Sequence, residues 1–156
     1  MSEATLGERV RRRLFHGVTL LTRAVTLGVR GLALDEAGRV FLVRHTYMPG
    51  WHMPGGAVDP GETAVEAVVR ELREEGNLEP AGAPELLGLY LNRRLAGRDH
   101  VALYRLRVTQ SAPRRPDREI AESGFFSFDA LPGDTTPATR RRLAEHRTGA
   151  PPAADW

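Results

Sequence analysis

Residues 55–78 read GGAVDPGETAVEAVVRELREEGNL, and this stretch decides the fold of the 156-residue chain. It begins as a loop whose glycines let the backbone approach a ligand closely. It continues as a predicted helix from Thr63 to Glu75. On a helical wheel of about 100° per residue, one stripe is apolar and is expected to face the core. That stripe consists of Val65, Val68, Val69 and Leu72.

Glu71, Glu74 and Glu75 lie together on a second arc of the same helix, where only alanines are near them and nothing bulky is expected to cover the carboxylates. Like charges three and four residues apart repel each other. A divalent cation removes that repulsion, and carboxylates with room for water suit Mg²⁺, or Mn²⁺ in its place. A solvated acidic face is the simpler interpretation of such a helix, but the glycine loop upstream favours a metal-phosphate site.

The charge of the chain is concentrated rather than large. All 22 basic residues are arginine and the net charge is +2, yet residues 55–79 hold seven acids and two arginines, a net −5. The absence of cysteine excludes disulfides, thiolate metal sites and a cysteine nucleophile. No apolar run approaches the roughly 18 residues that span a bilayer, and no secretory signal is evident. We therefore expect a cytoplasmic protein without a transmembrane segment.

The rest of the chain divides into three regions. Residues 1–24 predict an amphipathic helix, Arg9 to Arg23, that packs on the domain; binding to a membrane surface is the alternative. Residues 25–148 form one domain, and residues 149–156 are expected to be a flexible tail. Thr136-Pro137 predicts the start of a last helix. Prolines and glycines predict a loop at 47–61. Runs of apolar residues bounded by turn residues predict five strands, namely Val25 to Leu34, Val40 to His45, Leu86 to Asn92, Val101 to Val108 and Phe125 to Phe128.

The spacing of the polar residues resembles a known signature. The stretch Gly56 to Leu78 resembles the Nudix box of the Nudix hydrolase family. Five residues separate Gly56 from Glu62, and seven more separate Glu62 from the run Arg70-Glu71-Leu72-x-Glu74-Glu75. One position departs, because Asn77 stands where the family usually has glycine. Asparagine tolerates the left-handed conformation that ends a helix, so we expect the helix to end there.

The resemblance implies an α/β fold, an α/β/α sandwich with a mixed β-sheet. It also implies a Mg²⁺-dependent pyrophosphohydrolase that cleaves a nucleoside diphosphate linked to another group. By resemblance, the metal ligands are Glu71, Glu74, Glu75 and the carbonyl of Gly55. Arg70 resembles the arginine that orients the first glutamate, and Glu62 looks structural. For the general base, Glu74 is the first choice, and Glu119 and Glu122 are the alternatives.

The contacts to the substrate are less determined by the sequence. Trp51 is a candidate for stacking on a nucleobase, although packing explains it equally well. Arg93, Arg94 and Arg98 on a strand connection are candidates for a far phosphate, with a solvated hairpin tip as the alternative. The substrate is open among nucleoside triphosphates, dinucleotide polyphosphates, nucleotide sugars and capped or triphosphorylated RNA. A nucleic-acid partner is not otherwise indicated, and the oligomeric state, a homodimer included, is open.

A second hypothesis concerns a different class of protein, a non-catalytic module that binds a nucleotide or nucleic acid. The intact cluster of Arg70, Glu71, Glu74 and Glu75 argues against it, because binding alone does not need three clustered carboxylates.

Overall fold

The computed structural model describes residue 15 and residues 17–19, 23–94 and 97–156. Within these residues the order of elements is β1 (Thr26–Leu34), β2 (Val40–His45), β3 (Trp51–His52), α1 (Ala64–Gly76), β4 (Leu78–Pro80), β5 (Glu85–Asn92), β6 (Asp99–Gln110), β7 (Ile120–Phe126) and α2 (Pro137–Thr148). The predicted N-terminal helix, Arg9 to Arg23, falls mostly outside the described residues and stays a prediction.

The sheet is mixed. Its strand order is β3-β2-β1-β6-β4. In addition, β5 pairs with β6, and β7 pairs with β2. Strands β1 and β6 run parallel from the pair Thr26 and Asp99 to the pair Leu34 and Arg107. The pairs β2–β7 and β5–β6 are antiparallel. With a helix over each face, this arrangement is the predicted α/β/α sandwich.

Two apolar cores hold the layers together, because side chains of a strand alternate between the two faces. One core packs Phe41 and Val43 of β2 against Val68 and Leu72 of α1. The other packs Leu42 of β2 with further strand residues against Leu143 of α2. The odd-numbered residues of β2 therefore face α1, and His45 continues that row.

Strands β1 and β2 separate after the single register pair Leu34 and Val40. The loop before α1 fills the gap, since Val29 N–H donates to the Gly56 carbonyl and Gly31 N–H to the Pro54 carbonyl, both at 2.8 Å. At Gly55 φ is +147°, and a Cβ would lie 2.1 Å from the Val29 carbonyl oxygen. Glycine is required there, and the loop is fixed in the sheet instead of lying on the surface.

The structure corrects several expectations. The last strand is Ile120–Phe126 rather than Phe125 to Phe128, because its centre is polar and small and lacks an apolar pattern. The predicted loop at 47–61 contains the short strand β3. Val65, predicted to face the core, is 41% exposed because α1 contacts the sheet through Val68 and Leu72.

The C-terminal tail, which was expected to be flexible, makes contacts with β5 and α2. Trp156 N–H donates to the Leu91 carbonyl, and Leu91 N–H donates to the Ala154 carbonyl. The Trp156 ring meets Tyr90 edge to face at 5.5 Å, and the Arg142 guanidinium lies 4.3 Å from the Tyr90 ring centroid. The tail therefore extends the second core at the edge of β5. Among the described residues, no helix is long and apolar enough to cross a membrane.

Candidate functional site

Helix α1 carries the predicted glutamates, and both of its ends are fixed by side chains. Thr63 and Glu66 form a reciprocal capping box at the N-terminus, which satisfies free amides of the first turn. Asn77 ends the helix in the left-handed conformation, with φ 51° and its N–H donating to the Arg73 carbonyl at 3.0 Å. Asn77 therefore does here what glycine does at that position in the signature, as predicted.

Arg70 ties the loop to the helix. Its Nε and Nη2 donate to Glu62 at 2.9 and 3.0 Å, and its Nη1 donates to Glu71 at 2.7 Å. Its Nη2 also donates to the Ala57 carbonyl at 3.1 Å. The hydrogen bonds that Arg70 donates to Glu62 and then to Glu71 raise the pKa of its guanidinium above the ordinary value. Arg70 thus orients the Glu71 carboxylate and fixes the loop in one conformation.

Glu75 is buried, contrary to the expectation that nothing covers the arc. Its side chain is 5% exposed because the inserted loop and the end of β2 lie over it. The Gly55 N–H donates to Oε2 of Glu75 at 2.8 Å. Burial raises the pKa of this carboxyl to about 8, although the Gly55 amide and the charge of Arg30 act in the opposite direction.

The three glutamates do not converge on one point. Glu74 is 60% exposed and 3.4 Å from Arg70 Nη1, whereas Glu71 is 13% exposed and directly bonded to Arg70. Its carboxylate lies against Gly56, where a Cβ would be 2.3 Å from Oε1. Among the described residues, the side chains whose ligand atoms lie within 4.8 Å of one another are instead His45, Glu75 and Glu119.

His45 ends strand β2 beneath helix α1. Its Nε2 lies 3.5 Å from Oε1 of Glu75, and its side chain is 1% exposed. Neither ring nitrogen has a hydrogen-bond partner. Burial, followed by the charges of Arg30 and His52, lowers the pKa of His45 to about 4, so the ring is neutral at pH 7.

The two alternative bases have different surroundings: Glu122 lies on β7, and Glu119 comes directly before it. Glu119 faces His45 and Glu75. Glu122 pairs with Arg44 across the β2–β7 ladder at 2.5 Å. The register shifts between Arg44 and His45, and such bulges redirect side chains near functional sites. Of these two carboxylates, Glu119 is the one that lies close to His45 and Glu75.

Arg30 lies beside this cluster and was not identified from the sequence. Its Nη1 donates to the Met53 and Gly55 carbonyls at 3.0 and 2.8 Å. Burial lowers its pKa, and the nearby charges of Glu75 and Glu71 raise it. The Gly55 carbonyl, a predicted metal ligand, is thus already an acceptor for a cation. One lone pair of this oxygen is left for another partner.

A cavity of about 920 Å³ opens on the α2 side of Arg30, which is large enough for a nucleotide. Arg93 and Arg94 line it, as do His52 and Trp156. Arg93 pairs with Asp155 at 2.8 Å. Arg98 is exposed and is not among the lining residues. The structure therefore brings two of the three predicted arginines to the cavity and leaves the third outside.

Trp51 does not line this cavity. It is 8% exposed in the second core and meets Phe126 edge to face at 4.9 Å. Its ring is used in packing, so the stacking prediction is corrected in favour of the alternative. The aromatic rings at the cavity wall belong to His52 and Trp156.

The donors that are present fit a divalent cation. Oε1 of Glu75 points toward a neutral imidazole that has no hydrogen-bond partner, and a second carboxylate lies within reach. Sequence reasoning missed Arg30 and His45 because one lies within an apolar strand and the other at the end of one, both away from the signature in sequence. The alternation of β2 was the available signal for His45, since it places this residue on the same face as Phe41 and Val43.

The family model described as the NUDIX domain matches residues 25–146. A Bacillus subtilis protein, named as a candidate 8-oxo-dGTP diphosphatase, is 31% identical over 80% of this chain and 82% of its own length. An RNA pyrophosphohydrolase of Xanthomonas campestris is 46% identical, but over 42% of this chain and 33% of its own length. The crystal structure of a MutT Nudix hydrolase from Burkholderia pseudomallei is 26% identical and superimposes with a TM-score of 0.65, covering 76% of this chain and 95% of that one. The chain therefore belongs to the Nudix family of hydrolases, which act on acid anhydrides.

Proposed function

We propose that the protein is a Mg²⁺-dependent pyrophosphohydrolase, with Mn²⁺ as a substitute, that cleaves the diphosphate linkage of a nucleotide derivative by attack of water on phosphorus. The observation that carries the proposal is the position of Glu71 and Glu75, whose carboxylates lie against Gly56 and Gly55 of the loop. The cavity on the α2 side of Arg30 supports it, because it is nucleotide-sized and is lined by Arg30, whose Nη1 donates to the Gly55 carbonyl. A cytoplasmic location is part of the proposal.

The proposed metal ligands are Glu71, Glu74, Glu75 and the Gly55 carbonyl. A bound divalent cation neutralises diphosphate charge and lowers the pKa of water. The chain orients its own groups for this chemistry: Arg70 fixes Glu71 through a 2.7 Å bond, and the Gly55 amide leaves Oε1 of Glu75 free by holding Oε2.

Glu74 remains the first choice for the residue that accepts the proton of the attacking water. It is exposed and only loosely held by Arg70, so its carboxylate is free to reach a substrate. Glu119 is the next candidate because it faces the same cluster. Glu122 is the weakest, since its carboxylate is already bonded to Arg44.

The relatives suggest two substrates to test first, an oxidised deoxynucleoside triphosphate and a 5′-triphosphorylated RNA. The experiment is a panel that adds nucleotide sugars and dinucleotide polyphosphates, assayed with Mg²⁺ and with Mn²⁺ in ¹⁸O-labelled water. Label in one phosphate product identifies the phosphorus attacked. If calorimetry shows nucleotide binding but no member of the panel is hydrolysed, the protein is the non-catalytic module instead.

A further inference from the structure

His45 is a buried side chain that the proposed reaction does not use. Both of its ring nitrogens are buried without a hydrogen-bond partner, and leaving such a group unpaired destabilises the folded protein. A bound metal ion would give His45 a partner. One ring nitrogen of His45 and one carboxylate oxygen each of Glu75 and Glu119 lie within 4.8 Å of one another. We propose that His45, Glu75 and Glu119 bind a divalent first-row transition metal ion, with His45 as its nitrogen ligand.

The distances suit such an ion. Bonds from a metal such as Zn²⁺ to imidazole nitrogen and carboxylate oxygen are about 2.0–2.2 Å long, so two ligands of one ion lie at most about 4.4 Å apart. The separation of 3.5 Å between Nε2 of His45 and Oε1 of Glu75 is within this limit. Glu119 is exposed, so its side chain can rotate to close the remaining distance.

The two carboxylate ligands are fixed by contacts that leave their metal-facing oxygens free. The Gly55 amide occupies Oε2 of Glu75. Two hydrogen bonds fix the backbone of Glu119. Its N–H donates to Asp117 Oδ1 at 2.9 Å, and its carbonyl accepts from the Thr46 N–H. Outer contacts of this kind orient ligands in known metal sites. The register shift after Arg44 sets His45 opposite Ile120, next to Glu119.

The donor set determines which metal is preferred. Mg²⁺ favours carboxylate, carbonyl and water oxygens, whereas imidazole favours transition metals. This site shares Glu75 with the proposed Mg²⁺ ligands and so rests on the proposed function. Because His45 adds a nitrogen ligand beside Glu75, the metal position that these two residues share is selective for ions such as Mn²⁺ or Zn²⁺. The rival explanation is a metal-free His45–Glu75 contact within the core.

The test uses the full chain, stripped of metal and loaded with one equivalent of Mn²⁺ without substrate. Pulsed electron paramagnetic resonance detects nitrogen bonded to the ion. We expect nitrogen coupling in the wild type and in His52→Gln, and none in His45→Leu, which refills the apolar space. His52 is a matched control because its ring lies 5.9 Å from that of His45 and its Nε2 contacts the Pro49 carbonyl at 3.0 Å.

Calorimetry gives a second readout. The affinity for Zn²⁺ should fall about 10- to 100-fold in His45→Leu, a loss typical of disturbed metal sites, while the affinity for Mg²⁺ is retained. His45→Gln serves the same purpose if the leucine variant does not fold. Absence of nitrogen coupling in the wild type, or its persistence in both His45 variants, would overturn the site.

The outcomes separate this inference from the proposed function. Hydrolysis with Mg²⁺ by a protein that shows no nitrogen coupling refutes the histidine site alone. Nitrogen-coupled Mn²⁺ in a protein that hydrolyses nothing in the panel refutes the proposed reaction and leaves the metal site standing.

Discussion

The amide of Gly55 donates a 2.8 Å hydrogen bond to Oε2 of Glu75, and this bond joins the inserted loop to the end of helix α1. It connects the two parts of the signature, which are 20 residues apart. Because Oε2 is occupied, Oε1 is the oxygen available to a metal ion. This contact therefore couples the orientation of the carboxylate to the position of the loop.

The first prediction concerns Glu75→Gln. An amide is a poor metal ligand, so we expect the turnover number to fall on the order of 100-fold, as it does when metal sites are disturbed. The fold should persist, because an amide oxygen still accepts from the Gly55 N–H. The measurement is turnover with Mg²⁺ beside a thermal melt. Glu79→Gln is the control, since Glu79 is exposed and pairs with Arg73; near-normal turnover of Glu75→Gln would contradict the ligand assignment.

The second prediction concerns the pH dependence of metal-free stability. Burial raises the pKa of the Glu75 carboxyl to about 8 from an ordinary 4.5. Between these values the folded protein binds a proton that the unfolded chain has lost, so the contribution of Glu75 is complete below about 4.5 and is lost as pH rises toward 8. The slope from one such proton is at most about 1.4 kcal/mol per pH unit.

Urea unfolding with chelator from pH 5 to 9, in the wild type and in Glu75→Gln, isolates this contribution, because the amide does not titrate. The wild type should lose free energy of unfolding relative to the variant as pH rises, and the difference should level off above about pH 8. Parallel curves would show that the carboxyl is ionised throughout.

The sequence predicted what depends on local pattern. The helix came from the apolar spacing of Val68 and Leu72, and its end at Asn77 from the conformational tolerance of asparagine. Strand β2 was predicted with its observed bounds because its residues are continuously apolar up to Arg44. Such features need only neighbours along the chain.

The sequence could not predict what depends on distant segments. The burial of Glu75 comes from a loop inserted between β1 and β2, and the surroundings of His45 come from β7, whose polar centre concealed the strand. Trp156 packs on Tyr90 only because the tail returns to β5. Each of these contacts joins residues that local periodicity treats as independent.

The third prediction concerns Gly56→Ala. A Cβ at Gly56 would lie 2.3 Å from Oε1 of Glu71, so the carboxylate must move out of its bond with Arg70. The moving group is the end of a flexible side chain, and we expect the free energy of unfolding to fall by only about 1 kcal/mol, an average cost for a substitution. Turnover should fall at least about 10-fold, as for disturbed metal ligands.

Gly82→Ala is the matched control for this change, because a Cβ there meets nothing within 4 Å and φ is not in the left-handed region. The two variants should have similar melting temperatures and very different turnover numbers with Mg²⁺. Full activity in Gly56→Ala would show that Glu71 does not need its observed position.

The last prediction concerns the arginines of the strand connection. Arg94 lines the cavity and Arg98 does not, so neutralising Arg94 should weaken binding of an anionic substrate while neutralising Arg98 should not. For an exposed charge pair we expect the Michaelis constant to rise about 2- to 5-fold, and less at high salt because ions screen the interaction. The turnover number should change little, since the carboxylate cluster is untouched.

Arg94→Ala and Arg98→Ala, each assayed at two salt concentrations, make the comparison. Because Arg93 is paired with Asp155, a variant with alanine at Arg93, Arg94 and Arg98 together should have a Michaelis constant only modestly above that of Arg94→Ala. A Michaelis constant that stays unchanged in Arg94→Ala at both salt concentrations would assign Arg94 to the solvated surface and leave Arg30 and Arg141 as the cavity cations that face the substrate.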